Sequence, residues 1–441
     1  MCVAAYVEAN EKFRRMLGSP GLRLDRQRYF AETGVLALVV QKFGGTSVAD
    51  LERIRMVAGR VKRTRDAGHQ VAVIVSAMAG TTDQLAQWVR EIGGGHHDLA
   101  EFDTVVASGE QVTVGLLAVA LQAIGVPARS FLGWQVAVRT DGGHGRARIE
   151  GIGSPALAAC LERQVAVIAG FQGISADGRV TTLGRGGSDT SAVALAAALH
   201  ADRCDIFTDV EGVYTTDPRI VAKAHKLDRI TYEEMLEMAS QGAKVLETRS
   251  VALAMQNGVR LQVLSSFADQ PGTLVVDESE IVEQQVVSGI AYSRDEAKVT
   301  LVGVADRPGI AATIFGPLAE AHINVDMIVQ SVSADGDATD LTFTVGRADL
   351  ARTTSTLEAM RTDLGCRQIV ADGEVVKISV IGVGMRSHAG IAHTMFSTMA
   401  ERGINIQAIS TSEIKISILI DEAYTELALR ALHTAYGLDA D

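Results

Sequence analysis

The chain has 441 residues, enough for about three domains of ~150 residues each and for a large buried core. Hydrophobic residues make up 47% and charged residues 21%, which is typical of globular proteins. The formal net charge of −12 excludes a general nucleic-acid binder, because phosphate backbones are bound by clustered lysines and arginines. It does not exclude an anionic small substrate, since an acidic protein can contain a local cationic pocket.

The cysteines and the apolar runs indicate a cytoplasmic protein without a membrane span. The four cysteines are scattered without a CxxC pair, which indicates reduced thiols rather than disulfides or a zinc site. No apolar run approaches the ~18 residues of a membrane-spanning helix. Residues 1–34 lack the apolar centre of a secretion signal, so we expect a disordered extension or a start codon assigned too early.

Residues 35–275 are predicted to form one α/β domain. Five apolar runs are typical of buried strands: 35–41, 70–78, 165–170, 204–210 and 261–267. Helical patterns separate these runs, and alternating strands and helices at this spacing predict a mostly parallel sheet covered on both faces.

Two helices of this domain have recognisable features. Residues 51–66 have a helical period that puts four apolar side chains on one face: Leu51, Ile54, Ala58 and Val61. Ser108 with Gln111 matches a capping box, which predicts that a further helix begins there.

The C-terminal part contains an internal repeat. The segment 298–333, which begins KVTLVGVADRPG, resembles the segment 377–412, which begins KISVIGVGMRSHAG. Each copy has the pattern strand, loop, helix, strand, and another strand follows. Two copies are too few for a solenoid, so they predict two α+β modules, over residues 290–370 and 371–441, with ligand sites where they meet.

The stretch VVQKFGGTSV, residues 39–48, puts Lys42 and a glycine pair at the end of a predicted strand. An ammonium and bare backbone N–H groups both favour a phosphate. Neither a P-loop nor the G-x-G-x-x-G of a dinucleotide fold surrounds the stretch. In isolation, an ordinary strand-to-helix turn with Lys42 in solvent is the simpler interpretation.

Further polar clusters lie at predicted strand or helix ends, where open α/β sheets place their ligands. GRGGSDTSAV, from residue 184, is a glycine-rich loop entering a helix, and Arg185 adds a fork suited to a carboxylate or phosphate. The alternative is a loop that needs glycine for positive φ, with Arg185 on the surface. FTDVEGVYTTDPR, 207–219, follows a buried strand, and its alternative is a solvated loop. His96 and His97 have no further ligand at metal spacing, so no metal site is predicted.

Six motifs together resemble the aspartokinase family of the amino acid kinase superfamily. They are KFGG (42–45), SAMAGTTD (76–83), SGE (108–110), TTLGRGGSDTSA (181–192), TDVEGVYTTDPR (208–219) and GAKVL (242–246). The repeat resembles the paired ACT regulatory domains of that family. The resemblance implies a three-layer, mostly parallel α/β sheet of the amino acid kinase fold, followed by two βαββαβ, ferredoxin-like ACT domains.

The resemblance also implies an activity and a set of site residues. The activity is the Mg²⁺- and ATP-dependent phosphorylation of the side-chain carboxylate of L-aspartate to 4-phospho-L-aspartate, the first step of lysine, threonine and methionine biosynthesis. Arg185 would clamp the α-carboxylate, assisted by Ser188 and Thr82, and Glu110 would receive the substrate ammonium. The residues implied on the ATP side are Lys42, Gly44, Gly45, Thr208, Asp209, Tyr214, Arg219 and Lys244.

The chemistry agrees with those roles. A β-carboxylate with a pKa of ~3.9 is already ionised at neutral pH, so this nucleophile needs no general base. The difficulty is to bring one anion against another. Lys42, Arg185 and Lys244, with Mg²⁺, would act catalytically by positioning the reactants and screening their charge.

The ACT resemblance implies feedback regulation and assembly. In this family such pairs bind end-product amino acids, commonly lysine and threonine. The residues that resemble effector contacts are Asp306, Asn324, Asp326, Gln330, Asn405 and Ser412. Asn324 and Asn405 could instead be turn residues, a role that Asn fills unaided. A homo-oligomer through the ACT domains is expected, with or without a shorter regulatory subunit.

Three other functions remain open at this stage. A kinase of the same superfamily acting on glutamate, acetylglutamate or a nucleotide would generally lack the tandem ACT tail. A non-catalytic amino-acid sensor should have lost Lys42, Arg185 or Asp209, and all three are present. A dinucleotide-dependent oxidoreductase would require the missing G-x-G-x-x-G.

Overall fold

A computed structural model describes residues 37–94, 96–136, 138–153, 155–243, 245–281, 285–332 and 338–439. The predicted extension 1–34 and Lys244 lie outside these residues. The chain divides into two compact units. The first comprises the described residues within Met1–Val213, Asp228–Tyr232 and Val245–Glu280, and the second those within Tyr214–Leu227, Glu233–Lys244 and Ile281–Asp441.

The first unit is built on a large, mostly parallel sheet. Its strands, with those of a smaller sheet, are β1 (Leu38–Phe43), β2 (Gln70–Val75), β3 (Ala128–Phe131), β4 (Val138–Thr140), β5 (Ile149–Ile152), β6 (Val165–Ala169), β7 (Gln172–Ile174), β8 (Val180–Thr182), β9 (Arg203–Thr208), β10 (Arg229–Thr231), β11 (Leu261–Ser265) and β12 (Thr273–Val276). The order in the large sheet is β10-β12-β11-β9-β1-β2-β6-β3, and only β11 and β12 pair antiparallel. The smaller sheet has the order β5-β4-β7-β8.

All five predicted strands are present, and each is paired in the large sheet. Every residue of β1 and of β6 is buried, as expected for parallel strands covered by helices on both faces. The helices are α1 (Leu51–Asp66), α2 (Thr81–Gly93), α3 (Leu99–Val106), α4 (Ser108–Ala123), α5 (Pro155–Leu161), α6 (Gly187–Ala198), α7 (Tyr232–Ser240) and α8 (Thr248–Asn257). The predicted amino acid kinase fold is therefore confirmed.

Helix α1 spans the predicted residues, but one member of its predicted buried face is wrong. Ile54, Val57 and Val61 are buried, whereas the side chain of Leu51 is 53% exposed. Asp50 caps the helix by accepting a hydrogen bond from the N–H of Arg53. Leu51 lies in the first turn at the margin of the buried arc, which is why it is exposed.

The helix predicted to begin at Ser108 is present as α4, but its predicted capping box is wrong. Ala107 is helical, with φ −65° and ψ −15°, so α3 passes almost directly into α4. The hydroxyl of Ser108 donates to the carbonyl of Val105 instead of capping a free N–H group. A capping residue needs an extended backbone, and here the preceding turn of helix removes that need.

Leu99–Ala123 is the one stretch of the described chain that is long and apolar enough to cross a membrane. Half of its most apolar window is buried inside the protein. It carries two acidic side chains that are themselves almost fully buried, Asp103 and Glu110. Both make the hydrogen bonds described below.

The second unit contains one six-stranded sheet. Its strands are β13 (Gly289–Ala305), β14 (Val325–Val332), β15 (Ala338–Val345), β16 (Gln368–Ile381), β17 (Ala408–Thr411) and β18 (Lys415–Asp421), in the order β14-β15-β13-β16-β18-β17. All neighbours are antiparallel. Its helices are α9 (Ile310–Glu320), α10 (Leu350–Ala359), α11 (Arg361–Leu364), α12 (Ile391–Glu401) and α13 (Thr425–Ala435).

The two long strands β13 and β16 join the two repeats. The start of β13, Gly289 to Ser293, pairs with the end of β16, Lys377 to Ile381. The end of β13 pairs with the start of β16 and with β15. Each repeat nevertheless has its own apolar core, one around Phe343 and one around Ile418. The predicted pair of α+β modules is confirmed, whereas the boundary between them at 370 and 371 stays a prediction.

Candidate active site

A cavity of about 290 Å³ opens in the first unit. It lies beside the carboxyl ends of β1 and β2 and the start of α6, where open α/β sheets place their ligands. The cavity brings together six of the predicted site residues: Lys42, Gly45, Thr82, Glu110, Arg185 and Ser188. These residues come from distant parts of the chain, and the parallel sheet carries them to one edge.

Lys42 projects from β1 and is buried, with 9% exposure. Its Nζ lies 2.6 Å from Oδ1 of Asp189, in the first turn of α6. Asp189 was not among the predicted site residues, although it lies within the glycine-rich motif GRGGSDTSAV. The ion pair holds the ammonium at the cavity.

The glycine pair after Lys42 leaves room for close approach. A Cβ atom on Gly44 would lie 3.2 Å from Nζ of Lys42, and one on Gly45 would lie 3.1 Å from the carbonyl oxygen of Ala77. Side chains at these two positions would therefore crowd the lysine and the cavity wall.

Glu110 is a buried carboxyl group in the wall of the cavity, which Asp83 and Asp189 also line. Its side chain is 3% exposed, and its Oε1 accepts a hydrogen bond of 2.9 Å from the N–H of Ala77. Its Oε2 is buried and accepts no hydrogen bond from any residue that the structure describes. Burial raises the pKa of Glu110 to about 7, because a low-dielectric surrounding penalises the charged form. A ligand cation would satisfy this orphaned oxygen.

Arg185 stands on a glycine loop at the rim of the cavity. Gly184 and Gly186 flank it with φ of +80° and +69°, a conformation that L side chains rarely adopt. Arg185 is exposed, and no ion pair with another described residue occupies its guanidinium. Ser188, in the first turn of α6, is buried in the same wall.

Comparisons with known proteins agree with this geometry. Residues 37–265 match the model of the amino acid kinase family, and residues 298–362 and 378–436 match models of the ACT domain. An aspartate kinase of Pseudomonas fluorescens is 54% identical over 408 residues, covering 92% of this chain and 98% of the relative. An aspartokinase of Mycobacterium tuberculosis is 47% identical over 411 residues, covering 92% and 97%. The chain belongs to the aspartate kinase family.

Solved structures of aspartate kinases have the same fold. E. coli aspartokinase III in complex with aspartate and ADP is 28% identical, with a TM-score of 0.75 over 90% of this chain and 99% of that one. The same enzyme in complex with lysine and aspartate is 29% identical, with a TM-score of 0.72 and the same coverage. The predicted family, fold class and enzyme class are confirmed.

The residues implied on the nucleotide side of an aspartate kinase are divided between the units. Thr208 ends β9, the neighbour of β1 in the sheet, and its hydroxyl donates to Asp209. Tyr214 and Arg219 belong to the second unit. The guanidinium of Arg219 is paired there with Asp217, at 2.8 Å. Lys244 lies outside the described residues.

The second unit has a cavity of its own, of about 410 Å³, at the start of α9. It is lined by Asp306, Arg307, Pro308, Gly309, Ile310, Ala311 and Gln330, which include two of the predicted effector residues. The other four, Asn324, Asp326, Asn405 and Ser412, do not line it. Asp326 instead pairs with Nζ of Lys377 at 2.7 Å.

Proposed function

We propose that this chain transfers the γ-phosphoryl group of Mg·ATP to the side-chain carboxylate of L-aspartate, giving 4-phospho-L-aspartate and ADP. The observation that carries the proposal is the charge pattern of the first cavity. One buried carboxylate with an orphaned oxygen faces a cavity that also holds a lysine and a rim arginine. The lining also includes Asp189, which pairs with Lys42, and Asp83. The ammonium of an amino acid needs an anion, whereas its carboxylates and a nucleoside triphosphate need cations, and the cavity offers both.

Each part of aspartate has a proposed partner. The substrate ammonium would lie against Oε2 of Glu110, and this contact would supply the counter-charge that the buried carboxylate lacks. Arg185 would bind the α-carboxylate through its planar fork, with Ser188 and Thr82 completing the wall. The side-chain carboxylate is then directed towards Lys42.

The phosphate partners come from the strand end. Lys42 would exchange its contact with Asp189 for one with the transferred phosphoryl group, and Gly44 and Gly45 would allow the backbone to approach it. Thr208 and Asp209 would line the nucleotide on the neighbouring strand. Tyr214, Arg219 and Lys244 are proposed for the same side from their family motifs.

The reaction needs positioning more than acid–base catalysis. An ionised carboxylate oxygen forms a bond to the γ-phosphorus while the bond to the β,γ-bridging oxygen breaks, and ADP leaves with that electron pair. Magnesium enters as part of the Mg·ATP substrate and is proposed to be held mainly by phosphate oxygens and water. Lys42, Lys244 and Arg185 screen the repulsion between the two anions.

The direct test supplies ATP, Mg²⁺ and hydroxylamine with L-aspartate, L-glutamate or UMP in parallel. An acyl phosphate is trapped as its hydroxamate, so we expect hydroxamate with L-aspartate alone. Arg185→Ala should raise KM for L-aspartate by about 100-fold, because a charge-assisted bidentate contact is lost. Hydroxamate from glutamate, or ADP production with UMP, would contradict the substrate assignment.

Feedback regulation is proposed to act through the second cavity. Its backbone N–H groups at the start of α9 suit a carboxylate, and Asp306 and Gln330 supply oxygens for an ammonium. The proposed effectors are lysine and threonine. Gln330→Ala should raise the effector concentration for half-inhibition by about 10-fold, and an unchanged inhibition curve would count against this site.

Assembly and location complete the proposal. We expect a homo-oligomer formed through the ACT modules, with or without a shorter regulatory subunit made from an internal start. The three cysteines of the described chain, Cys160, Cys204 and Cys366, are buried free thiols, which agrees with the proposed cytoplasmic location.

A further inference from the structure

Asp103 is a fully buried carboxylate outside the cavity just described. It projects from α3 with 0% exposure. Its Oδ2 lies 2.8 Å from Nδ1 of His144 and accepts hydrogen bonds from the N–H groups of Gly145, at 3.0 Å, and Thr182, at 3.1 Å. Its Oδ1 accepts from the hydroxyl of Thr182. A buried charge is costly unless it is satisfied in this way, so these bonds account for its presence.

The segments that Asp103 holds form the approach to Arg185. Thr182 ends β8 and precedes the loop of Leu183, Gly184 and Arg185. The turn that contains Gly145 packs on the same loop, since a Cβ on Gly184 would lie 3.1 Å from the carbonyl oxygen of Gly145. Asp103 therefore hydrogen-bonds both the end of β8 and the turn that contains Gly145 to helix α3.

Arg249, on α8, also hydrogen-bonds to the backbone that leads to Arg185. Its guanidinium donates to the carbonyl of Leu183 at 3.1 Å and to the carbonyl of Ala147 at 2.9 Å. The backbone also closes on itself there, because the N–H of Ala147 donates to the carbonyl of Thr182 at 2.9 Å. Together, the hydrogen bonds of Asp103 and of Arg249 fix the course of the backbone that leads to Arg185.

We propose that Asp103 is a positioning residue for substrate binding: it fixes the backbone from Thr182 to Gly184 and so sets the direction from which Arg185 meets the α-carboxylate. The inference rests on the proposed function of Arg185. Asp103 itself does not line the cavity. A displacement of about 1 Å in a binding group can cost about 100-fold, so a distant anchor can have a large effect.

The first test is Asp103→Asn, which keeps the shape but replaces an acceptor oxygen by a donor that faces N–H groups. We expect KM for L-aspartate to rise by about 10- to 100-fold, with KM for ATP changing less than about 2-fold. Asp277→Asn is the matched control. Asp277 also accepts hydrogen bonds from a backbone N–H, at 3.0 Å, and from a hydroxyl, at 2.7 Å, but both belong to Ser279 in the turn after β12. It should leave both KM values unchanged.

The second test is a double-mutant cycle with Arg185→Ala. If Asp103 acts through Arg185, then adding Asp103→Asn to Arg185→Ala should raise KM for L-aspartate less than about 2-fold further. The proposal would be overturned if the two substitutions multiplied their effects on KM for L-aspartate. It would also be overturned if Asp103→Asn raised KM for L-aspartate and KM for ATP equally and lowered the thermal midpoint of unfolding. Thr182→Val removes one of the hydrogen bonds to Asp103 and leaves the buried charge unchanged. It replaces Asp103→Asn as the test if that variant does not fold. It should raise KM for L-aspartate alone, by about 3- to 10-fold.

The cycle also separates this inference from the proposed function. If Arg185→Ala leaves KM for L-aspartate unchanged, the assignment of Arg185 fails and the inference fails with it. If Arg185→Ala raises that KM and Asp103→Asn does not, the function stands and only the role of Asp103 is wrong.

Discussion

At the scale of single residues, the raised pKa of Glu110 predicts how substrate binding depends on pH. The free enzyme holds a proton on this carboxyl until about pH 7. If Glu110 binds the substrate ammonium as proposed, this proton must leave first. With saturating Mg·ATP, kcat/KM for L-aspartate should therefore fall as pH drops below about 7. The folded protein keeps this proton at pH values where the unfolded chain has lost it. The free energy of unfolding should therefore decrease as the pH rises from 4.5, the ordinary pKa of a glutamate side chain, to about 7.

Glu110→Gln is the control for this pH profile. The amide cannot ionise, so kcat/KM should be lower throughout and should lose the component of its pH dependence that reflects Glu110. The carboxylates of aspartate are already ionised between about pH 5.5 and 7.5, so they add no component there. An identical profile for both proteins would exclude Glu110 as the ammonium partner.

Lys42 gives a second prediction at the residue scale. Lys42→Met should lower kcat by about 100- to 1,000-fold, because a cation that stabilises charge in the transition state is lost. KM for L-aspartate should change less, since Arg185 and Glu110 are intact. Lys62→Met is the control: among the described residues Lys62 pairs with Asp66, and 41% and 58% of these two side chains are exposed. Loss of this exposed pair should not affect kcat. A Lys42 variant with normal kcat would refute the phosphate role.

At the scale of elements, the loop that enters α6 depends on a glycine with a tight neighbour. Gly186 has φ +69°, and a Cβ there would lie 2.1 Å from Cγ of Glu247, which caps α8. Gly186→Ala should cost about 1–2 kcal/mol for its backbone conformation and about 1–3 kcal/mol more for the clash. Gly178 has φ +81°, and a Cβ there would meet no neighbour within 4 Å. Gly178→Ala should therefore cost only about 1–2 kcal/mol, for the backbone conformation.

Chemical denaturation of both glycine variants measures the difference. The Gly186 variant should also bind L-aspartate more weakly, because its clash lies beside Arg185. If the two variants were destabilised equally, the side chain of Glu247 could move aside without a cost in free energy. The loop would then be less constrained than its packing indicates.

At the scale of the whole molecule, each unit has its own determinants of stability. In the second unit, Nζ of Lys377 lies 2.7 Å from Glu296 and 2.7 Å from Asp326, and its side chain is only 5% exposed. Lys377→Met leaves the buried carboxylate of Glu296 without its cation, which should cost about 3–5 kcal/mol. The exposed pair of Arg352 and Asp349 is the control, and Arg352→Met should cost less than about 1 kcal/mol. A similar loss in both variants would contradict the buried pair's role.

Several features could be predicted because they are local. The period of hydrophobic residues identified five of the eight strands of the large sheet and the span of α1, and six motifs in order identified the family. Two predictions failed where neighbouring structure intervened. Leu51 fell outside the buried arc, and Ser108 was not a cap because the preceding residues were already helical.

The sequence by itself determined the fold class, five strands of the large sheet and the motifs that contain most of the residues lining the first cavity, because periodicity and motifs are written in adjacent positions. The tertiary structure alone decided that Asp189 pairs with Lys42, that Asp103 anchors the approach to Arg185, and that β13 and β16 join the two repeats. These relations join residues far apart in the chain. Charge pairing, burial and strand register depend on which surfaces the fold brings within a few ångströms, and no local pattern encodes that.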